Sequence, residues 1–186
     1  MSTALKLTVA EYDGMVDKGA FDELSQKIEL INGEISGMNP AGPVHDDYIQ
    51  FLNRWSLTTA DLSRIDVRIQ SGITLPELDS RPEPDVCWVR PRRYLDSHPT
   101  AGDVLLIIEV SYSSLKSDQQ EKEELYAKAG IGEYWIVDIT HELIHVHRNP
   151  AGGRYELIEQ FGRDQHLAPQ IQPHAVLVIN DLLGKS

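Results

Sequence analysis

The sequence has little cysteine and no long apolar run. Its single cysteine, Cys87, cannot form an internal disulfide, which fits a reducing compartment. Cys87 lies in an apolar segment, so a small buried side chain is expected in place of a nucleophile. The apolar stretches fall short of the roughly 20 residues that cross a bilayer, and the first fifteen residues lack an apolar segment with a cleavage site. We therefore expect a cytoplasmic protein without a membrane anchor or a secretory signal.

Basic residues are also scarce. Lysine and arginine number 17 against 29 aspartate and glutamate residues, which gives a formal net charge of -12. Proteins that bind nucleic acid through its phosphates usually have a basic surface, so this balance argues against tight, non-specific binding. An acidic chain also suits a site that collects carboxylates around a cation. A local basic patch is compatible with six arginines of the middle third: Arg64, Arg68, Arg81, Arg90, Arg92 and Arg93.

Several motifs of other enzyme classes are absent. The sequence contains no GxxxxGK loop, no GxGxxG after a strand and no GxSxG elbow, which argues against P-loop, dinucleotide-binding and α/β-hydrolase chemistry. His141, His145 and His147 invite a zinc interpretation, because residues two apart in a strand share a face. No cysteine or fourth ligand has suitable spacing, so zinc is disfavoured.

The length of 186 residues predicts one domain spanning residues 1–186. A capping box, helical periodicity and terminal glycines predict helices over residues 8–18, 44–62, 116–129 and 180–183. Alternating or apolar runs predict strands over residues 27–35 (a hairpin turning at Asn32-Gly33), 64–75, 85–89, 104–110, 134–139, 143–148, 155–161 and 176–179. Helices thus fall between strands, which indicates an α/β or α+β sheet flanked by helices.

Two acids stand at the ends of predicted buried strands. Asp85 opens the strand in PEPDVCWV, and Glu109 closes the apolar run in LLIIEV. A charge is costly to bury alone, so such an acid is usually paired or holds a metal. Two carboxylates on neighbouring strands, together with the main-chain carbonyl of Val110, would form an oxygen site that suits Mg²⁺ or Mn²⁺. Such an ion polarises a phosphoryl oxygen and lowers the pKa of a bound water.

Lys122 lies in the helix that follows Glu109. A lysine beside the ion could orient the water, take its proton or offset charge in the transition state. Taken alone, Lys122 fits a solvated helix face, and Lys116 is a rival. His45 could contact a phosphate or a carboxylate, but a surface position near the helix end is favoured. The tryptophans sit among apolar neighbours and are expected in the core.

The segments IELINGEI, PEPDVCWV, IIEVSYSSLKSD and EKEELYAKAGIGEYWIVD resemble the restriction-endonuclease-like family of the PD-(D/E)XK nuclease superfamily. The resemblance runs from about residue 29 to residue 138. It implies an α/β (α+β) restriction-endonuclease-like core, with a mixed central sheet flanked by helices and additional antiparallel strands. It also implies cutting of phosphodiester bonds with Mg²⁺ or Mn²⁺. In that family the acid after proline corresponds to Asp85 and the strand-end glutamate to Glu109, while Glu29 becomes a further candidate acid.

The superfamily pattern places a lysine two residues after the glutamate, where this chain has Ser111. Relatives of this sequence style supply the lysine from the following helix, which points to Lys122. The resulting hypothesis is a cytoplasmic, metal-dependent endonuclease that acts on nucleic acid, with DNA favoured. A homodimer is expected by analogy with such folds. Two alternatives stay open: a non-catalytic interaction protein that keeps the fold, and a metal-dependent hydrolase of another substrate.

Overall fold

The computed structural model describes residues 5–38, 42–111 and 116–184, without the side chains of residues 116–119. The helices within these ranges are α1 Val9–Val16, α2 Pro43–Thr59, α3 Lys116–Lys128 and α4 Ile179–Leu183. The strands are β1 Ile28–Ile31, β2 Glu34–Gly37, β3 Asp66–Ile69, β4 Val86–Val89, β5 Val104–Ser111, β6 Glu133–Asp138, β7 Leu143–Ala151, β8 Arg154–Phe161, β9 His166–Leu167 and β10 Leu177–Val178. None of these helices is both long and apolar enough to cross a membrane.

The central sheet contains six strands in the order β3-β4-β5-β6-β7-β8. Strands β5 and β6 are parallel, and every other neighbouring pair is antiparallel. A parallel pair needs a crossover, and α3 lies in the connection between β5 and β6. The structure therefore confirms the mixed sheet, the flanking helices and the additional antiparallel strands that the sequence predicts.

Alternate residues of β5 face opposite sides of the sheet. Leu106 and Ile108 pack in the core on the α2 side, whereas Ile107 packs in the core on the α3 side. Glu109 is two residues after Ile107 and hence lies on the α3 side. The core on the α2 side is built around Trp55, whose ring lies 5.3 Å from that of Trp88 and 5.9 Å from that of Trp135. The three tryptophans are thus buried core residues, as predicted.

Helix α1 and the β1–β2 hairpin are not part of this sheet. Thr8 and Glu11 form the predicted capping box of α1, and the β1–β2 hairpin turns at Asn32-Gly33 as predicted.

The side chain of Cys87 is fully buried, and this burial raises the pKa of its thiol, which fits an unreactive core position.

Three predicted elements differ from the structure by three residues or more at an end, and one of them is β7, which continues to Ala151 beyond the predicted end at Arg148. The strand predicted over residues 64–75 is limited to β3, because Gln70 adopts a φ of 44° and leaves the extended conformation. The helix predicted over residues 44–62 ends at Thr59, since Ala60 has an extended main chain. The short strand β9 was not predicted, because two paired residues carry no periodicity.

Candidate active site

The register of β4 and β5 brings the two strand-end acids together. Val86 pairs with Ile108, so Asp85, immediately before β4, lies beside Glu109. The main-chain N–H of Asp85 donates to Oε2 of Glu109 at 3.3 Å. In return, the N–H of Val110 donates to Oδ2 of Asp85 at 2.8 Å. These two hydrogen bonds, each from a main-chain N–H to a carboxylate oxygen, hold the two side chains next to each other at the end of β5.

Lys122 reaches this pair from α3. Its Nζ lies 3.2 Å from Oε1 of Glu109 and 3.2 Å from Oε1 of Glu29. All three side chains are largely buried, with exposed fractions of 18% for Lys122, 13% for Glu109 and 9% for Glu29. The structure therefore brings the four sequence-predicted side chains, those of Glu29, Asp85, Glu109 and Lys122, into one connected cluster.

Glu29 belongs to β1, which lies outside the central sheet. The segment before β4 connects the two, because the N–H of Arg81 donates to the carbonyl of Leu30 at 2.7 Å. The N–H of Glu83 donates to Oε2 of Glu29 at 3.3 Å. Hydrogen bonds from the N–H groups of Arg81 and Glu83 thus hold the β1–β2 hairpin where Glu29 and Glu109 can both contact the ammonium of Lys122.

Burial governs the protonation of this cluster. Burial, and to a lesser degree the negative charges of Asp85 and Glu29, raise the pKa of Glu109 to about 7, although Lys122 acts to lower it. Burial acts to lower the pKa of Lys122, but the carboxylates of Glu109 and Glu29 outweigh it and raise that pKa above its ordinary value. Lys122 therefore carries its proton at neutral pH.

Tyr126 also belongs to the cluster and was not predicted from the sequence. Its O–H donates to Oε1 of Glu109 at 3.0 Å, on the oxygen that Lys122 also contacts. Burial, with the nearby charge of Glu109, raises the pKa of Tyr126 well above its ordinary value, so it stays a neutral donor. The spacing of four residues from Lys122 was a usable signal, because such residues share a helix face.

His45 lies at the site, and the prediction of a surface position was wrong. Its side chain is only 19% exposed, and Nε2 lies 3.3 Å from Oδ2 of Asp85. A hydrogen bond to Asp85 raises the pKa of His45 more than burial lowers it, and the main chain of Val110 contributes in the same direction. Only an acceptor favours a protonated imidazole, so the contributing group of Val110 is its carbonyl.

The donor set of the cluster fits a hard divalent cation. Asp85 and Glu109 supply carboxylate oxygens, and Val110 adds a carbonyl, which is the oxygen chemistry that Mg²⁺ and Mn²⁺ select. The cluster gathers the carboxyl groups of Glu29, Asp85 and Glu109 around the ammonium of Lys122 and the imidazole of His45, and burial raises the pKa of Glu109 to about 7. A divalent cation at this place would stabilise the charged form of Glu109.

Within the described ranges, no group of three or more histidine, cysteine, aspartate or glutamate side chains is arranged to hold a metal ion. The predicted oxygen site needs two side chains and one carbonyl, so it does not depend on such a group.

Other candidates lie apart from these contacts. Arg81 pairs with Asp13, and Arg92 pairs with Asp103. Arg92 also follows the end of β4 that is opposite to Asp85. Ser111 takes the last position of β5, and the side chain of the rival Lys116 lies outside the described side chains.

Comparisons with known proteins agree with this fold. A family model described as "Uma2: Putative restriction endonuclease" matches residues 9–178. A solved structure described as a "putative nuclease belonging to DUF820 from Anabaena variabilis" has a TM-score of 0.77, with 17% sequence identity over 95% of this chain and 97% of that chain. At this identity the structural likeness shows the fold alone. No curated protein matches the sequence.

Proposed function

Because the chain belongs to the Uma2 family of restriction-endonuclease-like proteins, we propose that it is a divalent-metal-dependent endonuclease that hydrolyses phosphodiester bonds, with DNA favoured. The observation that carries the proposal is the contact between Lys122 and Glu109. The superfamily pattern has its lysine two residues after the glutamate, and Ser111 takes that place here. An ammonium 3.2 Å from Oε1 of Glu109 supplies the same charge from the next helix.

We assign the cation, Mg²⁺ or Mn²⁺, to the carboxylates of Asp85 and Glu109 and the carbonyl of Val110. When bound, it would supply Lewis-acid stabilisation of the negative charge on a phosphoryl oxygen. Hydrogen bonds from the main-chain N–H groups of Asp85 and Val110 to the two carboxylates keep these side chains adjacent.

Lys122 acts as a charged donor in this proposal and not as a general base. Its pKa lies above the ordinary value for lysine, so no lone pair is free at neutral pH to take a proton. A buried ammonium at the edge of the site can orient a water molecule and stabilise the charge that develops on the phosphate. Tyr126 and Glu29 hold this arrangement, because Tyr126 donates to Glu109 and Glu29 accepts from Lys122.

The rival function is that of a non-catalytic interaction protein with a nuclease fold. Two observations favour it: the net charge of -12, and the engagement of the ammonium of Lys122 by two carboxylates. A cation bound by Asp85 and Glu109 would weaken the contact between Glu109 and Lys122 and so release the ammonium from one of its two carboxylates. Metal dependence thus separates the two functions.

A plasmid-nicking assay with Mg²⁺ or Mn²⁺ tests the proposal. Asp85→Asn and Glu109→Gln keep the size of each side chain and remove one charge from the cation site. Both should abolish metal-dependent nicking of supercoiled DNA, whereas Glu156→Gln, an exposed acid of β8, should not. The same variants are incubated with single-stranded RNA to compare substrates. Nicking that persists in Asp85→Asn, or a wild-type protein that cuts neither substrate with either metal, rejects the proposal.

Compartment and assembly complete the proposal. A cytoplasmic location fits the single, fully buried cysteine. A homodimer is proposed by analogy with such folds, and sedimentation of the purified protein at several concentrations would test it.

A further inference from the structure

The site has one more donor than the family pattern requires, and it comes from the other side of the sheet. His45 lies in the first turn of α2, which packs on β3, β4 and β5, whereas Lys122 approaches from α3. The imidazole of His45 reaches past the start of β4 to Oδ2 of Asp85. The carboxylate of Asp85 is therefore contacted from the α2 side as well as from β5.

Both donors to this carboxylate bind the same oxygen. Oδ2 of Asp85 accepts the N–H of Val110 at 2.8 Å and lies 3.3 Å from Nε2 of His45. Two donors on one oxygen restrict rotation of the carboxylate about its own bond, and they leave Oδ1 outside this pair of contacts. The second oxygen is thereby given a defined direction.

The carbonyl of Val110 points toward the same space as this carboxylate. In a strand, the N–H and the C=O of one residue point toward the same neighbouring strand. The N–H of Val110 points to Asp85, so its carbonyl also faces the space beyond the start of β4. The imidazole of His45 and the carbonyl of Val110 therefore lie on the same side of β5, next to the carboxylate of Asp85.

The proton of the neutral ring belongs on Nε2. Nδ1 of His45 is buried and has no hydrogen-bond partner among the residues that the structure describes. An unpaired buried N–H is costlier than a bare nitrogen lone pair, so the favoured tautomer donates through Nε2 and leaves Nδ1 bare. A ring that used the lone pair of Nε2 on a metal would have to move its proton to Nδ1. The geometry therefore favours a donor over a ligand.

We propose that His45 is a positioning residue of the cation site, which fixes the Asp85 carboxylate by donating from Nε2. The inference rests on the proposed function only in placing a cation at these oxygens. Partners of metal ligands typically change metal affinity by about 10- to 100-fold when they are removed. His45→Ala should weaken Mn²⁺ binding within that range.

Calorimetry with Mn²⁺, in the absence of nucleic acid, gives a readout that does not depend on activity. His45→Gln should bind Mn²⁺ within about 3-fold of the wild-type protein, because its amide nitrogen reaches as far from the main chain as Nε2 does. His45→Asn is too short and should resemble His45→Ala, and it replaces that variant if the alanine protein does not fold. His166→Ala, at an exposed position of β9, is the matched histidine control and should bind normally.

Pulsed electron paramagnetic resonance of bound Mn²⁺ separates positioning from ligation. The wild-type spectrum should lack the nitrogen coupling that a coordinated imidazole would give. Coupling that disappears in His45→Ala overturns the inference in favour of a direct ligand. Equal or tighter binding by His45→Ala also overturns it, since the ring would then be idle or would compete with the cation. A wild-type protein that binds no Mn²⁺ rejects both this inference and the proposed function.

Discussion

Replacing Lys122 by methionine removes the one ammonium that two buried carboxylates share. Methionine has nearly the same length and is compatible with a helix, so the change is mainly one of charge. Nζ of Lys122 lies 3.2 Å from Glu29 and 3.2 Å from Glu109, and both acids are nine-tenths buried or close to it. Without the ammonium, each acid must either stay charged in a dry environment or take up a proton.

The expected loss of stability is large for a single substitution. Breaking a buried ion pair by removing one partner typically costs about 3–5 kcal/mol, because it leaves an uncompensated charge. Two acids are stranded here, whereas the N–H groups of Asp85 and Glu83 and the O–H of Tyr126 still donate to them. We therefore expect Lys122→Met to lower the free energy of unfolding by about 3–5 kcal/mol at pH 7.5.

Urea denaturation in the presence of EDTA measures this loss, with the fluorescence of the buried tryptophans as the signal. Lys128→Met is the matched control, since Lys128 lies on the same helix and pairs with Glu124 at 2.8 Å in an exposed position. Exposed pairs contribute little, so the control should be nearly as stable as the wild-type protein. Adding Glu109→Gln to Lys122→Met removes one stranded charge and should recover about half of the loss.

Equal stability of Lys122→Met and Lys128→Met would refute this reasoning. It would mean that the ammonium of Lys122 is not bonded to buried carboxylates, and the assignment of this lysine would then lose its structural basis. A double variant that is less stable than Lys122→Met would contradict the view that stranded charge causes the loss.

Three further results are expected. Lys122→Ala should lower the turnover of DNA cleavage without weakening metal affinity, and undiminished turnover rejects its role. Burial, and the nearby charge of His145, lower the pKa of His147 to about 4, whereas a histidine in an unfolded chain has a pKa of roughly 6.5. The folded state therefore binds fewer protons than the unfolded state, and the free energy of unfolding falls as the pH drops from about 6.5 toward 4. The loss between pH 7 and pH 5 should be about 2 kcal/mol larger in the wild-type protein than in His147→Phe by urea denaturation; equal losses would contradict the cause. Glu133 is buried and accepts from Arg148, Trp135 and the main chain of Gln170, so Glu133→Gln should destabilise the fold by about 2–4 kcal/mol without changing cleavage by the folded fraction.

Much of the central sheet was readable from local patterns. The apolar runs around Cys87 and Ile107 gave β4 and β5 nearly to the residue, and the polar helix between β5 and β6 gave the parallel pair its crossover. The family resemblance added the fold class. Such features are local in sequence, because a strand that is buried on both faces consists of a continuous apolar run.

The contacts within the site depend on the approach of elements that are distant in sequence. Glu29 contacts Lys122 because the β1–β2 hairpin is hydrogen-bonded to the segment before β4. No periodicity in the sequence predicts that hydrogen bonding. His45 reaches Asp85 around the start of β4 from the opposite face of the sheet, so its place in an otherwise exposed first helical turn pointed to the surface. The left-handed φ of Gln70, which ends β3 early, likewise follows from tertiary pairing with Asp85 and not from its residue type.

Anomalous diffraction from a crystal soaked in Mn²⁺ would show whether a cation binds at the end of β5. We expect one strong anomalous peak about 2.0–2.3 Å from a carboxylate oxygen of Asp85, a carboxylate oxygen of Glu109 and the carbonyl oxygen of Val110. The peak should be absent from crystals of Asp85→Asn. A wild-type crystal without a peak at these oxygens, or with its only peak at other residues, would mean that these groups do not form a cation site.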